Sequence, residues 1–488
     1  MTRSPRWPPL LAGFVAGLAA FSGSGAATLN GDELATVSAA GRSVPGLWEL
    51  AQHIDGHFLP YYLFMHLWMK LGTAELWLRL PSAVAIGVAA AFLTDLARRI
   101  HDRAASRTPE TTVSRTGGLV AGLTAAALFA VLPSVSYYGA FARSYAFAAA
   151  AVVIATWALH RAIETSTPRT WTLYAGSVAL VGSTHLFAVL VLPAHLLGAL
   201  LLLPVRTVLT RTLPAQAAGF VPAAVLGLIG YGERHAISWI PQRGPEVWLK
   251  FPKMAAGGTE VGLLLFAVAL IGAFAVARHS KGWAATLLGW LILPPILLLA
   301  VSHLLTPAYI DRYLFVTAPA LALLTGLAVA ALPRWAIAAA TALTLAAAVL
   351  AYPQHVEVRE VNGRFEDVPW AVRKIAAKPG DAILYAQSAL RTRFDYYTDG
   401  RMPDDVLRVG RAPLPDSFGY PELPDVATAL EGRSRVWIVW RGAKRDGLED
   451  GRFPHVEAAR RAGFTVTGAW HSADLPGLTV ALFTRSQR

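Results

Sequence analysis

The chain has 488 residues, of which 55% are hydrophobic and only 15% charged, more apolar side chain than a soluble core of this length needs, so it reads as a membrane protein. A net charge of +12 would suit nucleic acid, but the basic residues fall mostly in short loops between apolar runs, and nucleic-acid binding is discounted. With no Cys, disulfides and thiolate metal sites are excluded.

A helix rising 1.5 Å per residue needs about 20 residues to cross about 30 Å of hydrocarbon. Eleven stretches meet that need, centred on residues 8–28, 76–97, 117–136, 144–162, 170–183, 186–203, 215–231, 259–277, 283–301, 313–332 and 335–352. Arg3 and Arg6 precede the first, and the small residues of 22–27 close it, so a cleaved signal peptide is the alternative to a span there. Directly afterwards comes Asn30-Gly31-Asp32-Glu33-Leu34. Two adjacent carboxylates just beyond the bilayer are candidates for proton-transfer chemistry at a membrane surface. The plain structural reading is a helix start, where acidic side chains meet the N-terminal dipole.

The apolar run 59–71 is too short to span and is rich in aromatics. It predicts a helix lying in the outer interface, with Tyr61, Tyr62, Trp68 and Lys70 keeping polar ends wet. The first outer loop, 29–75, is expected to hold this helix and a second over 33–41.

Basic residues orient the chain. With a cytoplasmic N-terminus the inside loops hold Arg98, Arg99, Arg103, Arg107, Arg115, Arg161, Arg169, Arg206, Arg211, Arg278, Lys281 and Arg334. The outside loops hold Asp32, Glu33, Glu49, Asp55, Glu75, Glu233, Glu246, Glu260 and Asp311. That bias selects an extracytoplasmic C-terminus.

After Tyr352 the composition turns charged and Pro/Gly-punctuated. Strands are expected at 382–387, 435–440, 464–467 and 478–483, and helices at 368–377 and 454–462. The expected organisation is an all-α polytopic domain over 1–352, including the first outer loop, and a small extracytoplasmic α/β domain over 353–488.

Several motifs follow one another in order. They are Asp32-Glu33, then Asp55-Gly56-His57 leading to Pro60-Tyr61-Tyr62 and His66-Leu67-Trp68, then Glu75 and Leu78-Arg79-Leu80-Pro81-Ser82. Tyr137-Tyr138 with Ala142-Arg143-Ser144-Tyr145, Thr184-His185-Leu186-Phe187 and Asp311-Arg312-Tyr313-Leu314 continue the series. This arrangement, over about residues 1–330, resembles the GT-C glycosyltransferases of the protein O-mannosyltransferase and aminoarabinose-transferase type.

The resemblance implies an integral-membrane enzyme that passes a sugar from a polyprenyl-phosphate donor, with inversion, to a lipid, protein or polysaccharide hydroxyl outside the cytoplasm. Such a transfer needs a carboxylate to take the acceptor proton, cations or hydrogen-bond donors to hold the departing phosphate, and an apolar groove for the lipid tail. By match to the family's pair, Asp32 is the expected base, with Glu33 orienting or assisting it. His57, Arg143 and Arg312, from outer loops on one face, are expected to bind phosphate. Asp55, Tyr61, Tyr145 and His185 complete the expected substrate site, and loop 232–258 offers His235, Trp239, Trp248, Lys250 and Lys253 as further contacts.

Two departures matter. One proline precedes Tyr61-Tyr62 where many relatives have two, and Phe141 stands where many carry an acid two positions before the Arg. The second departure weakens the case for a divalent cation, and no cofactor is assigned. The competing classes are a transporter or flippase of lipid-linked sugars and a non-catalytic envelope assembly protein. Against the transporter, no paired inverted halves are visible, and the polar groups gather on one face rather than at the midplane.

Overall fold

The computed structural model describes residues 7–105, 115–332, 334–361, 366–398, 402–442, 454–473 and 477–485. Arg3 and Arg6 before the first stretch and Arg107 of the charge bias lie outside the described residues, as do the side chains of Arg115 and His235. The chain divides into two compact units, and neither is continuous in sequence. The first is Met1–Ser24, Asp55–Phe64 and Leu76–Val358; the second is Gly25–Ile54, Met65–Glu75 and Arg359–Arg488.

The first unit is helical, and each of the eleven expected apolar stretches coincides with a helix. Among the described residues seven helices are long and apolar enough to cross a membrane, or eight if one bent pair counts as a span. The protein is a multi-pass membrane protein. The bent pair occupies the expected stretch 117–136, where Thr116–Val131 and Pro133–Gly139 meet at 69°. Pro133 lacks an N–H and its ring excludes the carbonyl of the preceding turn, so the helix cannot continue straight.

Ala318–Ala330 is apolar all round and buried at every residue, as suits a helix enclosed by others. Ala336–Arg359 buries only Ala336, Ala347 and Ala351, and turns Ile337, Leu345 and Val349 outward as a lipid-facing helix does. Helices Trp7–Phe21 and Glu75–Ala105 approach through glycine. A Cβ at Gly13 would stand 2.6 Å from the Gly87 carbonyl oxygen, and one at Gly87 would stand 2.8 Å from that of Gly13. In lipid such close backbone approach replaces the hydrophobic drive that water supplies.

The second unit is built on a five-stranded mixed sheet of order β2-β1-β3-β5-β4. Its strands are β1 (Ala382–Tyr385), β2 (Asp404–Asp405), β3 (Arg435–Arg441), β4 (Phe464–His471) and β5 (Leu478–Arg485). β1 runs parallel to β2 and β3, and β5 is antiparallel to β3 and β4. Successive side chains of a strand point to opposite faces, so each face receives its own apolar cluster. Val436, Ile438 and Trp440 pack with Val456 and Phe464 on one face, while Trp437 and Val439 pack with Val368 and Phe394 on the other.

Contacts do not divide the chain at residue 352. The helix Ala336–Arg359 runs past that point, and most of the first outer loop belongs to the sheet-bearing unit. The Thr28 hydroxyl donates to the Glu366 carbonyl at 2.8 Å, and the Leu29 amide to the Tyr397 hydroxyl at 2.8 Å. The Arg42 guanidinium donates to the carbonyls of Leu414 and Ser417 at 2.9 and 2.6 Å. The loop holds helices Gly31–Ala40 and Leu59–Trp68, near the expected positions, and a third, Val44–Ala51, for which no expectation was drawn from the sequence.

Candidate active site

In the first unit the chain enters a single tight turn, Gly56–Phe58, through Asp55, whose φ of 58° lies in the left-handed region that Asp tolerates better than most residues. Glu233, following the helix Leu213–Gly232, holds that turn: its carboxylate oxygens accept from the Gly56 amide at 2.8 and 3.1 Å. The helix Leu59–Trp68 starts from the turn and aims Tyr62 back at Asp55. The Tyr62 hydroxyl donates to Asp55 Oδ2 at 2.6 Å and accepts from Arg143 Nη1 at 2.6 Å. Arg143 Nη2 also stands 3.4 Å from Asp55 Oδ2, and the guanidinium lies 4.0 Å from the centre of the Phe58 ring.

Arg143 is 5% exposed. Its backbone is set by the irregular turn between Pro133–Gly139 and Tyr145–Thr165, where the Ser82 hydroxyl donates to the Phe141 carbonyl at 2.6 Å. His185, at the end of Pro168–Thr184, extends the cluster. Its ring lies 5.4 Å from Tyr145, 5.8 Å from Phe58, 6.1 Å from His57 and 4.8 Å from Tyr313. His185 Nδ1 accepts from the Phe187 amide at 3.2 Å, so the proton of the neutral ring sits on Nε2. That N–H is buried and has no hydrogen-bond partner among the described residues.

Burial raises the pKa of Asp55, but the Arg143 charge, the neighbouring His57 and the Tyr62 hydrogen bond outweigh it and hold the carboxyl below its ordinary value. His57 moves the other way. Burial, seconded by Arg143, pushes it down to about 4 against the pull of Asp55, so at neutral pH it is a hydrogen-bonding imidazole and not a cation.

The structure therefore brings together Asp55, His57, Arg143, Tyr145 and His185. Tyr61 lies beside them with its ring 6.3 Å from Tyr62 and 5.6 Å from Phe147, and is buried. Arg312 reaches the cluster through its neighbour Tyr313, while its own guanidinium lies 5.3 Å from the Trp239 ring. Two participants were not singled out from the sequence. Tyr62 belongs to the Pro60-Tyr61-Tyr62 motif, whose expected site residue is its neighbour Tyr61. Glu233 was counted only among outer-loop acids, although a buried carboxylate at the end of an apolar helix is a costly placement that signals a partner.

Asp32 and Glu33 belong to the second unit. Glu33 is fully buried and completes a capping box: its carboxylate accepts from the Asn30 amide at 3.2 Å while the Asn30 side chain accepts from the Glu33 amide at 3.0 Å. Asp32 is the half-buried second residue of the same helix, Gly31–Ala40. Beside it Glu366, 2% exposed, pairs with Arg393 at 2.9 Å and Arg441 at 3.2 Å. Among the described residues no three His, Asp or Glu side chains gather as metal ligands would.

The family model for the N-terminal domain of protein O-mannosyl-transferase TMEM260 matches residues 57–205, which include His57, Tyr62, Arg143 and His185. No curated protein matches the chain. Among solved structures, ArnT from Cupriavidus metallidurans bound to undecaprenyl phosphate superposes with a TM-score of 0.57 at 13% identity, covering 98% of this chain and 99% of that one. The apo form of ArnT gives 0.55 at 14% identity, with 98% of each chain covered. The resemblance read from the motifs is thus met in the fold, which is of the GT-C, ArnT-like type.

Proposed function

We propose that the protein is a membrane glycosyltransferase that takes a sugar from a polyprenyl-phosphate donor and passes it to an acceptor hydroxyl outside the cytoplasm. The observation that carries this reading is the buried, unpartnered His185 Nε2–H in a cluster whose permanent cation is Arg143. A buried donor without an acceptor marks a place where a ligand oxygen belongs. Arg143, with a planar fork of donors, suits a phosphate, and the aromatic rings around it suit a sugar or an isoprenoid. The ArnT structure of the same fold carries undecaprenyl phosphate, which agrees with this donor class.

In this reading the acceptor oxygen attacks the anomeric carbon and gives its proton to Asp32. The bond from that carbon to the phosphate oxygen breaks, and polyprenyl phosphate departs with inversion at the sugar. Arg143, His57, His185 and Arg312 hold the phosphate whose charge grows as it leaves. A base of this kind contributes about 10²–10⁴ in rate. Glu33 has its carboxylate committed to the helix cap, so its part is to hold the helix that presents Asp32. The orientation that serves this chemistry has the N-terminus cytoplasmic and the sheet-bearing unit outside.

The test is chemical. Lipid-linked sugars extracted from cells lacking the protein are compared with wild type by mass spectrometry. Accumulation of one polyprenyl-phosphate sugar, with loss of that sugar from one envelope acceptor, is expected. Identical lipid and acceptor profiles would overturn the reading.

A further inference from the structure

The helix that carries Asp32 is built on the C-terminal part of the chain. Besides the bonds from Thr28 and Leu29, the Gly31 amide donates to the Glu366 carboxylate. Gly31 is fitted tightly: a Cβ there would collide with Arg393 Nη2 and lie 3.2 Å from Glu366 Oε1. Glu366 is clamped in turn by Arg393 and Arg441, and Arg393 is itself nearly buried. Asp32 acts electrostatically on both Glu366 and Arg393, which places its carboxylate within the reach of the same network. An acid two residues into a helix, next to a cation held from behind by a second acid, has its backbone and its field set by that pair.

We propose that Glu366 and Arg393 are positioning residues for Asp32, set by the sheet-bearing unit to which all three belong. Burial pushes the Glu366 carboxyl up and the Arg393 guanidinium down, and each is the chief favourable partner of the other, so removing one leaves an uncompensated buried charge. Arg393 thereby supplies a fixed positive charge whose field reaches the acid, and Glu366 fixes both Arg393 and the first amide of the helix. This inference rests on the proposed role of Asp32, and its test separates the two.

Full-length protein in detergent or nanodiscs is assayed for release of polyprenyl phosphate from its sugar-charged form, with Asp32→Asn, Glu366→Gln, Arg393→Ala and Gly31→Ala beside wild type. Glu366→Gln keeps the carbonyl that Thr28 uses. Each of the last three variants is expected to lower kcat by about 10–100-fold, the scale of a misplacement near 1 Å, while the donor KM moves by less than about twofold. In Arg393→Ala, added guanidinium is expected to restore part of kcat. If Asp32→Asn is fully active, the base assignment falls whatever the other variants do. If Asp32→Asn is inactive while Glu366→Gln and Arg393→Ala turn over at wild-type rates, or if their losses follow folded fraction alone and guanidinium restores nothing, the positioning role is overturned.

Discussion

Arg143 Nη1 donates to the Tyr62 hydroxyl at 2.6 Å, and Tyr62 donates onward to Asp55 Oδ2 at 2.6 Å. The hydroxyl joins a cation and an anion that otherwise meet only at 3.4 Å. Removing it in Tyr62→Phe takes one hydrogen bond each from the buried Arg143 and the half-buried Asp55, at a cost of about 1–3 kcal/mol. The thermal midpoint of the purified protein should fall accordingly, and the donor KM should rise as Arg143 loses its fixed direction.

Arg143→Lys keeps the charge but not the fork. A single ammonium cannot serve Tyr62, Asp55 and a phosphate at fixed angles, so kcat/KM for the lipid donor should fall by about 10–100-fold, the equivalent of one or two charge-assisted hydrogen bonds. Steady-state kinetics at varied donor concentration will show whether the loss falls mainly in KM, as expected for a ground-state phosphate contact.

Glu233 holds the turn that presents Asp55 and His57, through two contacts to one amide. Glu233→Gln retains a carbonyl acceptor for the Gly56 N–H and should cost little, whereas Glu233→Ala should destabilise by about 1–3 kcal/mol. Hydrogen exchange at Gly56 distinguishes them: it should quicken in the Ala variant and stay slow in the Gln variant.

His57 makes stability depend on pH. Its folded value of about 4 lies below the ordinary 6.5, so the unfolded chain binds a proton more readily than the folded one through that interval. Stability should therefore be lost as the pH falls from 6.5 towards 4, and His57→Gln should flatten that part of the profile. Asp55 also has a lowered value, but its contribution is lost only below the ordinary carboxylate value of 3.8, outside this window. Thermal midpoints of both proteins across the range provide the check.

Much of this architecture was legible in the chain, because length and hydropathy alone place a helix at each apolar stretch. Four of the five strands follow from β-branched and aromatic runs such as 435–440, while the two-residue β2, Asp404–Asp405, carries no such run. Other features depend on contacts that no local pattern carries. Pro133 lies inside an apolar run that length counting reads as continuous. Tyr61 and Tyr62 are adjacent, and which of them faces Asp55 is decided by the phase of the helix leaving the Gly56–Phe58 turn. Thr28 bonds to Glu366 across 338 positions, so the union of the first outer loop with the C-terminal sheet has no sequence signal. Glu33 illustrates the opposite case: the sequence reads as a helix start there, and helix Gly31–Ala40 begins there, with Asn30 and Glu33 forming a capping box.

On the proposed function, Asp32 takes a proton during transfer of a lipid-linked sugar. Purified wild-type protein and Asp32→Asn, matched for folding, are each incubated with polyprenyl-phosphate sugars and an envelope extract, and free polyprenyl phosphate is counted by mass spectrometry. Wild type should release it, and the variant should release less by about 10²–10⁴-fold while still binding the donor. Equal release by both proteins, or none by wild type with any sugar supplied, would rule out that role for Asp32.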